Sequence, residues 1–456
     1  MKHNLDLTDG SIVKSLVALA LPIMGTSFIQ MAYSMTDMIW VGRLGSGAVA
    51  GVGTAGFFTW LAMAFVIIPK IGAEIGVSQS AGAGNTDETK KYIRCSIQMA
   101  VVLAICFGAC MVAFKEPLIG FFGIKDKNVV EIAINYLAIV SLSMPFFFMN
   151  PVFTGIFNGY GESRTPFFIN TIGLISNIVL DPLLIFGVGP FPRLESAGAA
   201  IATVLAQIIV CSIFVLHAKA TPQLFHGLSL HRPTDMKRIK RVLALGIPVA
   251  LESGMFTLFT MVIAKTVATW GPVGIAVQKV GAQIEAISWM SAGGFSTALA
   301  AFTGQNFGAG KWKRIEKGFF AGVGIVSIIG VFATLLLILG AREVFSIFIQ
   351  EETALSYGTD YLKILGVSQV FMCWEIAVAG AFNGIGRTVP PSVVGIVFTG
   401  LRVPAAAYVA ESTDLGLNGI WWVISISSII KGIILVAWFW ALVSRCENEK
   451  SMSSEI

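Results

Sequence analysis

An asparagine and an aspartate stand four residues apart in the apolar run "ISNIVLDPLL" at residues 175–184. On a helix, Asn177 and Asp181 project from the same face, one turn apart. Pro182 has no N–H group, so it leaves the carbonyl of Ile178 without its usual helical donor. An amide oxygen, a carboxylate and a carbonyl would then lie close together, and oxygen atoms are the ligands that hard cations prefer. The stretch therefore predicts a binding site for a small cation.

Polar residues in two other apolar runs are candidates for the same site. Asp37, in the first run, would supply a second carboxylate, and Thr203, in the sixth, a hydroxyl. Two carboxylates that face one cavity can hold either Na⁺ or a shared proton, because like charges disfavour ionisation of both. The alternative is a structural role, in which Asp181 only bonds a neighbouring helix.

The composition indicates that these runs lie in a membrane. Of the 456 residues, 55% are hydrophobic and 12% are charged, whereas a soluble domain carries about 25% charge. Apolar segments of about 20 residues, enough to cross roughly 30 Å of hydrocarbon, recur along the whole chain. The net charge of +5 is too small to suggest a nucleic-acid partner, and the six cysteines form no metal or disulfide spacing. We expect no cofactor beyond a transported ion.

Polar and Gly/Pro breaks divide the chain into twelve predicted transmembrane helices, so the predicted fold class is an all-α membrane protein. The predicted spans are 12–40, 48–80, 91–114, 130–157, 166–189, 196–217, 239–269, 273–304, 315–340, 356–383, 389–410 and 418–443. No small-residue cleavage site follows the first apolar core, which favours an uncleaved helix over a signal peptide.

Lys and Arg collect on the side of these spans that both termini share, and positive residues mark the cytoplasmic side. We therefore expect a multi-pass protein of the inner (cytoplasmic) membrane with both termini in the cytoplasm. The predicted domains are an N-lobe at 1–217, a cytoplasmic linker at 218–238, a C-lobe at 239–443 and a cytoplasmic tail at 444–456. Binding of a partner or of anionic lipid is an alternative role for the basic sequence "KRIKR" at 237–241, but membrane orientation explains it better.

Three pairs of short strings indicate an internal repeat. "SQSAGAG" (78–84) and "GQNFGAG" (304–310) match at an offset of 226 residues, as do "LALP" (19–22) and "LGIP" (245–248). "FNGYG" (157–161) and "FNGIG" (382–386) match at an offset of 225. Independent Gly-rich turns would not keep this spacing.

Each half contains six predicted spans, so both halves enter the membrane in the same orientation. A pseudo-twofold axis along the membrane normal would relate two six-helix lobes, an arrangement common in secondary transporters. The sequence contains no GxxxxGK[ST], HExxH or GxSxG motif, which argues against ATP hydrolysis and against an enzyme. An ion gradient is then the expected energy source.

Strings along nearly the whole chain resemble those of the prokaryotic multidrug and toxic compound extrusion (MATE) family. They include "TDMIWVGRLG" (36–45), "FNGYGESRTP" (157–166), "NIVLDPLLIFG" (177–187), "IAVQKVG" (275–281) and "LRVP" (401–404). The resemblance implies two six-helix lobes and export of organic, often cationic or aromatic, compounds in exchange for Na⁺ or H⁺. It also implies that Asp37, Asn177, Asp181 and Thr203 form the cation-coupling site, an arrangement similar to the DinF-type branch.

We expect the substrate to lie in a cavity between the lobes, against aromatic and methionine side chains. The candidate lining residues are Met31, Tyr33, Trp40, Glu252, Gln278 and Glu375. In the NorM branch, helices seven and ten carry coupling carboxylates, but Glu252 and Glu375 each lie about one turn from the matching positions. The sequence also allows Lys431 to snorkel from a nearby helix end.

Other functions remain open from the sequence. A flippase or exporter of a lipid-linked or metabolite substrate would share the doubled lobes. A major-facilitator transporter would carry a basic loop where this chain has "AGAGNTDETKK" (81–91). A membrane enzyme or receptor would need a catalytic constellation or a large soluble domain, and the sequence shows neither. The expected partners are small organic substrates and the lipid bilayer, with the protein acting as a monomer.

Overall fold

The computed structural model describes residues 6–454, with side chains described up to residue 446, and within these ranges the regular structure is helical. The α-helices are α1 (Ile12–Gly42), α2 (Ser46–Gly82), α3 (Thr86–Ala113), α4 (Lys115–Gly120), α5 (Lys127–Leu142), α6 (Met144–Tyr160), α7 (Arg164–Phe186), α8 (Glu195–Ala220), α9 (Pro222–Phe225), α10 (Met236–Val267), α11 (Gly271–Gly308), α12 (Trp312–Leu339), α13 (Ala341–Ser346), α14 (Glu352–Gly366), α15 (Gln369–Gly384), α16 (Val389–Ser412) and α17 (Leu417–Ser454).

The long apolar helices account for all twelve predicted spans. Within the described residues, nine helical segments are long and apolar enough to cross a membrane, or eleven when each of two bent helix pairs counts as one span. One of these segments, Met236–Gly308, is 73 residues long. It contains both α10 and α11, which a single 3₁₀ turn at Ala268–Trp270 separates. Counting α10 and α11 separately gives twelve.

Two of the predicted spans are broken helices. The fourth consists of α5 and α6, bent by 53°, and the tenth of α14 and α15, bent by 52°. A serine lies at each break: the Ser143 hydroxyl donates to the Val140 carbonyl at 2.7 Å, and the Ser368 hydroxyl to the Leu365 carbonyl at 3.0 Å. The backbone N–H of each serine donates to the same carbonyl. This tight turn ends the first helix of each pair.

By their internal contacts, the helices form two compact units. The first unit comprises residues 25–246. The second unit comprises the described residues up to Met24 together with those from Ile247 onward. Helix α1 begins in the second unit and ends in the first, whereas α10 begins in the first unit and ends in the second. The predicted lobe boundaries at 217 and 239 stay a prediction.

The repeated strings have a common backbone geometry. Gly84 and Gly310 end the first pair of strings with φ of 69° and 70°, and Gly161 and Gly386 end the second pair with φ of 91° and 77°. These angles lie in the left-handed region, which glycine enters without the steric cost of a Cβ atom. The matched glycines thus stop corresponding helices in the two halves.

Close helix contacts are also repeated. A Cβ atom on Gly159 of α6 would lie 2.5 Å from the Glu74 carbonyl oxygen of α2, and one on Gly384 of α15 would lie 2.5 Å from that of Ala300 of α11. One turn earlier, Gly155 and Gly380 approach backbone oxygens of the same partner helices. Small residues four apart let membrane helices approach closely. Each unit therefore contains the same glycine-mediated helix pair.

We expect Gly159→Val to destabilise the protein, because the new side chain would overlap the α2 backbone. Overpacking costs about 1–3 kcal/mol, which corresponds to a melting temperature lower by roughly 1–3 °C for a chain of this length. Gly53→Val is the matched control, since a Cβ atom there meets no atom within 4 Å. Equal melting temperatures for the two variants would contradict this account of the contact.

Candidate functional site: an acidic cluster in the first unit

The four predicted coupling residues come from three helices of the unit that contains residues 25–246. Asp37 lies on α1, Asn177 and Asp181 on α7, and Thr203 on α8. Asn177 and Asp181 are completely buried, while Asp37 and Thr203 are half-buried. Asp37 is close enough to Asp181 for the two carboxylates to interact electrostatically. The fold thus brings the predicted carboxylates together, and we name Asp37, Asn177, Asp181 and Thr203 the acidic cluster.

Most oxygen atoms of the acidic cluster have no hydrogen-bond donor. The Asn177 Nδ2 group donates to Asp181 Oδ1 at 3.2 Å, which confirms that these side chains share one helix face. The buried oxygens that have no hydrogen-bond partner among the described residues are Asp37 Oδ1, Asn177 Oδ1, Asp181 Oδ2 and Thr203 Oγ1. A buried polar atom without a partner is costly, so the carboxylate oxygens of this set would be stabilised by a cation or a proton.

Two tyrosines extend the acidic cluster. The Thr203 hydroxyl lies next to those of Tyr33 on α1 and Tyr136 on α5, and both tyrosines lie within electrostatic reach of Asp37 and Asp181. The Tyr33 hydroxyl is also buried without a hydrogen-bond partner. Tyr33, which the sequence suggested for the substrate cavity, therefore lies at the acidic cluster.

The acidic cluster contains no compensating positive charge. Within the described residues, no Lys, Arg or His side chain forms an ion pair with Asp37 or Asp181. No group of three or more His, Cys, Asp or Glu in that part of the chain is arranged to hold a metal ion. The available donors are two carboxylates with an amide and hydroxyl oxygens, a set that suits a hard, singly charged cation or a proton. The residues present fit the predicted ion.

Three polar residues near the acidic cluster were not identified from the sequence. Tyr136 is buried in the apolar stretch of α5. Asn150 on α6 donates to the Gln207 side chain on α8 at 2.6 Å, one turn beyond Thr203. Asn150 directly precedes Pro151, just as Asp181 directly precedes Pro182. A polar residue immediately before a proline within an apolar run is the signal that would have found Asn150.

In the second unit, one carboxylate has a cationic side chain as its direct partner. Glu375 on α15 forms an ion pair with Lys431 on α17 at 2.6 Å, with side chains 16% and 5% exposed. The suggestion that Lys431 snorkels from a helix end is therefore wrong, because the ammonium group is held inside the unit by Glu375. Glu375 has a cation of its own.

The other two carboxylates have weaker partners: a serine hydroxyl contacts Glu252, while Glu285 lies within electrostatic reach of an arginine and keeps Oε1 buried without a hydrogen-bond partner. The Ser392 hydroxyl donates to Glu252 Oε2 at 2.9 Å, and the absence of a side chain at Gly395 makes room for that carboxylate. Arg402 is buried, interacts electrostatically with Glu285, and donates to the hydroxyls of two serines of α17 at 2.8 Å each. This network is separate from the acidic cluster and has a mixed charge.

The remaining predicted cavity residues occupy both units. Trp40 packs edge-on against Phe186 at 6.0 Å, and the Arg43 guanidinium lies 4.6 Å from the centre of its indole ring. Met31 on α1 and Gln278 on α11 are half-buried. A substrate contact for each of these residues stays a prediction.

Two six-span halves with an unneutralised acidic cluster in one of them are typical of a secondary transporter. The MatE family model matches residues 22–183 and 248–408. These segments begin 226 residues apart, at the offset of the repeated strings, which confirms the internal repeat. The chain belongs to the MatE (multidrug and toxic compound extrusion) family. It is therefore a multi-pass membrane transporter rather than an enzyme, as the sequence predicted.

Relatives match the chain over most of its length. It is 28% identical over 416 residues to a probable multidrug resistance protein NorM of Thermotoga maritima, covering 90% of this chain and 88% of the relative. It is 24% identical to a FAD transporter of Shewanella oneidensis, with 100% of both chains covered. The crystal structure of MATE in the bent conformation superposes with a TM-score of 0.91 at 22% identity, over 99% of both chains. The predicted twelve-helix, two-lobe fold class is thereby confirmed, while the DinF-like branch stays a prediction.

Removing one partner of the buried Glu375–Lys431 pair should destabilise the protein strongly. We expect Lys431→Met to lower the stability by about 3–5 kcal/mol, because Glu375 would be left buried without a cation. The double variant Lys431→Met, Glu375→Leu should recover most of this loss, since no charge then remains. Thermal unfolding of the purified variants measures both effects.

The exposed pair Arg342–Glu352, with side chains 54% and 73% exposed, provides the control. Arg342→Gln should change stability by less than about 1 kcal/mol. A double variant no more stable than Lys431→Met would show that lost packing, not the uncompensated charge, causes the destabilisation.

Proposed function

We propose that this transporter exports organic, often cationic or aromatic, compounds across the cytoplasmic membrane in exchange for Na⁺ or H⁺. The coupling ion binds at Asp37, Asn177, Asp181 and Thr203. The observation that carries the proposal is the set of buried carboxylates without a positive partner in the first unit. Both termini lie in the cytoplasm, and the protein acts as a monomer.

The acidic cluster supports ion coupling because its ligand must arrive from outside the protein. Burial of a carboxylate without a counterion is unfavourable, so a cation or proton that reaches Asp181 gains stabilisation there. A positive charge moving inward also gains about 2.3 kcal/mol per 100 mV of membrane potential, roughly fifty-fold in an equilibrium constant. That free energy is available to drive export.

Coupling further requires that ion and substrate favour different states of the protein. A ligand with equal affinity for both states shifts neither population. The ion at Asp37 and Asp181 therefore favours one access state, and the substrate favours the other or competes for the carboxylates. Exchange of ion for substrate then requires only that the two access states differ in their affinities for the ion and for the substrate.

The second unit is a weaker candidate for the coupling ion. Lys431 already neutralises Glu375, and Arg402 lies beside Glu285. At Glu375 or Glu285, an entering cation would have to compete with a resident ammonium or guanidinium group. The charge distribution therefore favours a coupling site in the first unit only.

The FAD transporter of Shewanella oneidensis supports a second candidate, export of a flavin nucleotide or another metabolite. Such a substrate carries aromatic rings and a negatively charged pyrophosphate. The buried cations Arg402 and Lys431 of the second unit both face glutamates, which leaves less positive charge for an anionic substrate. Competition between FAD and an organic cation in a transport assay distinguishes the two candidates.

We expect Asp37→Asn and Asp181→Asn each to abolish ion-driven efflux, because each change removes a charged ligand of the proposed ion. The measurement is efflux of ethidium from energised cells, with the amount of each variant in the membrane determined in parallel. Glu131→Gln is the matched control, since Glu131 is an exposed carboxylate on α5 in the same unit. Efflux at the control rate in both aspartate variants would refute the coupling site.

Thermal unfolding provides a test that does not depend on transport. A ligand that binds only the folded state stabilises it by RT ln(1 + [L]/Kd), about 2.7 kcal/mol at one hundred times Kd. If Na⁺ is the ion, NaCl should raise the melting temperature more than KCl at the same concentration, and Asp181→Asn should abolish the difference. Equal melting temperatures in the two salts would exclude Na⁺ and leave H⁺ as the proposed ion, which proteoliposomes under an imposed pH gradient test directly.

A further inference from the structure

A basic cavity lies where helices α3 and α10 begin. It has a volume of about 490 Å³ and is lined by Glu88, Tyr92, Lys237, Arg238, Lys240 and Arg241. We name it the basic cavity. All of its lining residues belong to the unit that contains residues 25–246. It lies on the side of the membrane that is predicted to be cytoplasmic, and it is separate from the acidic cluster.

The positive charge of the basic cavity is only partly compensated. Arg238 forms a bidentate pair with Glu88, with its Nη2 atom 2.7 and 2.8 Å from the two carboxylate oxygens. Glu88, the only carboxylate in the lining, is thereby committed to Arg238. The side chains of Lys237, Lys240 and Arg241 are exposed and form no ion pair within the described residues. Three cations therefore face the cavity without a partner.

Close packing fixes the walls of the basic cavity. The ring of Tyr92 packs over Gly76 of α2, and Val242 packs over Gly72 of the same helix. The segment before α10 is also held, because the Gln98 side chain of α3 donates to the backbone carbonyls of Leu230 and Arg232 at 2.6 and 2.8 Å. The unpartnered cations thus extend from a fixed surface. Membrane orientation requires positive residues here but does not require a built cavity.

We propose that the basic cavity binds a phosphoryl anion at the membrane surface. Lys and Arg side chains form charge-assisted hydrogen bonds to phosphate oxygens, and the hydroxyl of Tyr92 offers one more donor. A cluster of four or more such cations next to a membrane span is typical of anionic-lipid binding. The phosphate belongs either to an anionic phospholipid headgroup or to a soluble phosphate compound. Its position at the start of α10 places the ligand on a helix that both units share.

The test uses the purified full-length protein in detergent and short-chain dioctanoyl phosphatidylglycerol as the probe. We expect this anionic lipid to bind at least about tenfold more tightly than dioctanoyl phosphatidylcholine, whose headgroup is zwitterionic. The triple variant Lys237→Gln, Lys240→Gln, Arg241→Gln should weaken phosphatidylglycerol binding at least about tenfold. Tyr92→Phe, which keeps every charge, should weaken it about threefold through the loss of one hydrogen bond.

The matched control removes three exposed positive charges elsewhere on the same predicted side of the membrane: Lys14→Gln, Lys219→Gln, Lys317→Gln. Binding close to that of the unmodified protein in this control supports the basic cavity. Displacement of phosphatidylglycerol by inorganic phosphate assigns the site to soluble phosphates, whereas resistance to displacement assigns it to the lipid headgroup. Binding unchanged in the basic-cavity triple variant, or weakened equally in both triple variants, would overturn the proposal.

Discussion

The acidic cluster poses the main energetic problem of this molecule, because two carboxylates lie inside an apolar helical bundle with no cationic side chain beside them. Asp181 is fully buried, and one oxygen of each aspartate has no hydrogen-bond partner. Such an arrangement is unfavourable for folding, and a bound cation or proton would offset the cost. Helices α1, α7 and α8, which position the acidic cluster, thus form a site whose charge would favour a small positive ion.

The two halves share a backbone design and differ in their charges. Matched glycines end corresponding helices, and matched glycines four apart hold corresponding helix pairs together. The residues at corresponding contacts differ in charge. In the first half, the residue whose backbone lies against Gly159 is Glu74, whereas in the second half the residue against Gly384 is Ala300. Likewise, the second unit supplies Lys431 to its buried Glu375. Backbone contacts therefore constrain both copies of the repeat, while the buried side chains are free to specialise.

Sequence patterns predicted the spans and the repeat, because helix length, apolar composition and i, i+4 spacing are local properties. The grouping of Asp37 with Asp181 followed from the family resemblance instead, since these residues lie on different helices, α1 and α7. The bends at Ser143 and Ser368 were both missed, although Pro145 and Gly366 each stand two residues from the break, because single prolines and glycines are common inside unbroken membrane helices. Tyr136 was missed because an aromatic residue in an apolar helix is usually a packing residue. The Glu375–Lys431 pair joins two helices, and their pairing follows from tertiary packing that spacing along the chain does not encode.

Helix α1 belongs to both units, so the proposed ion site lies on a helix that also packs in the second unit. The first part of this helix packs Leu16 and Leu19 into the core of the second unit, and its later part carries Tyr33 and Asp37 to the acidic cluster in the first. A cation that binds Asp37 therefore acts on a helix whose beginning is fixed elsewhere. Because α1 contains Pro22, which removes one backbone hydrogen bond from the helix interior, it has a point where its direction can change at lower cost. If the proposed ion binds at Asp37, α1 is the helix through which its binding would reach the second unit.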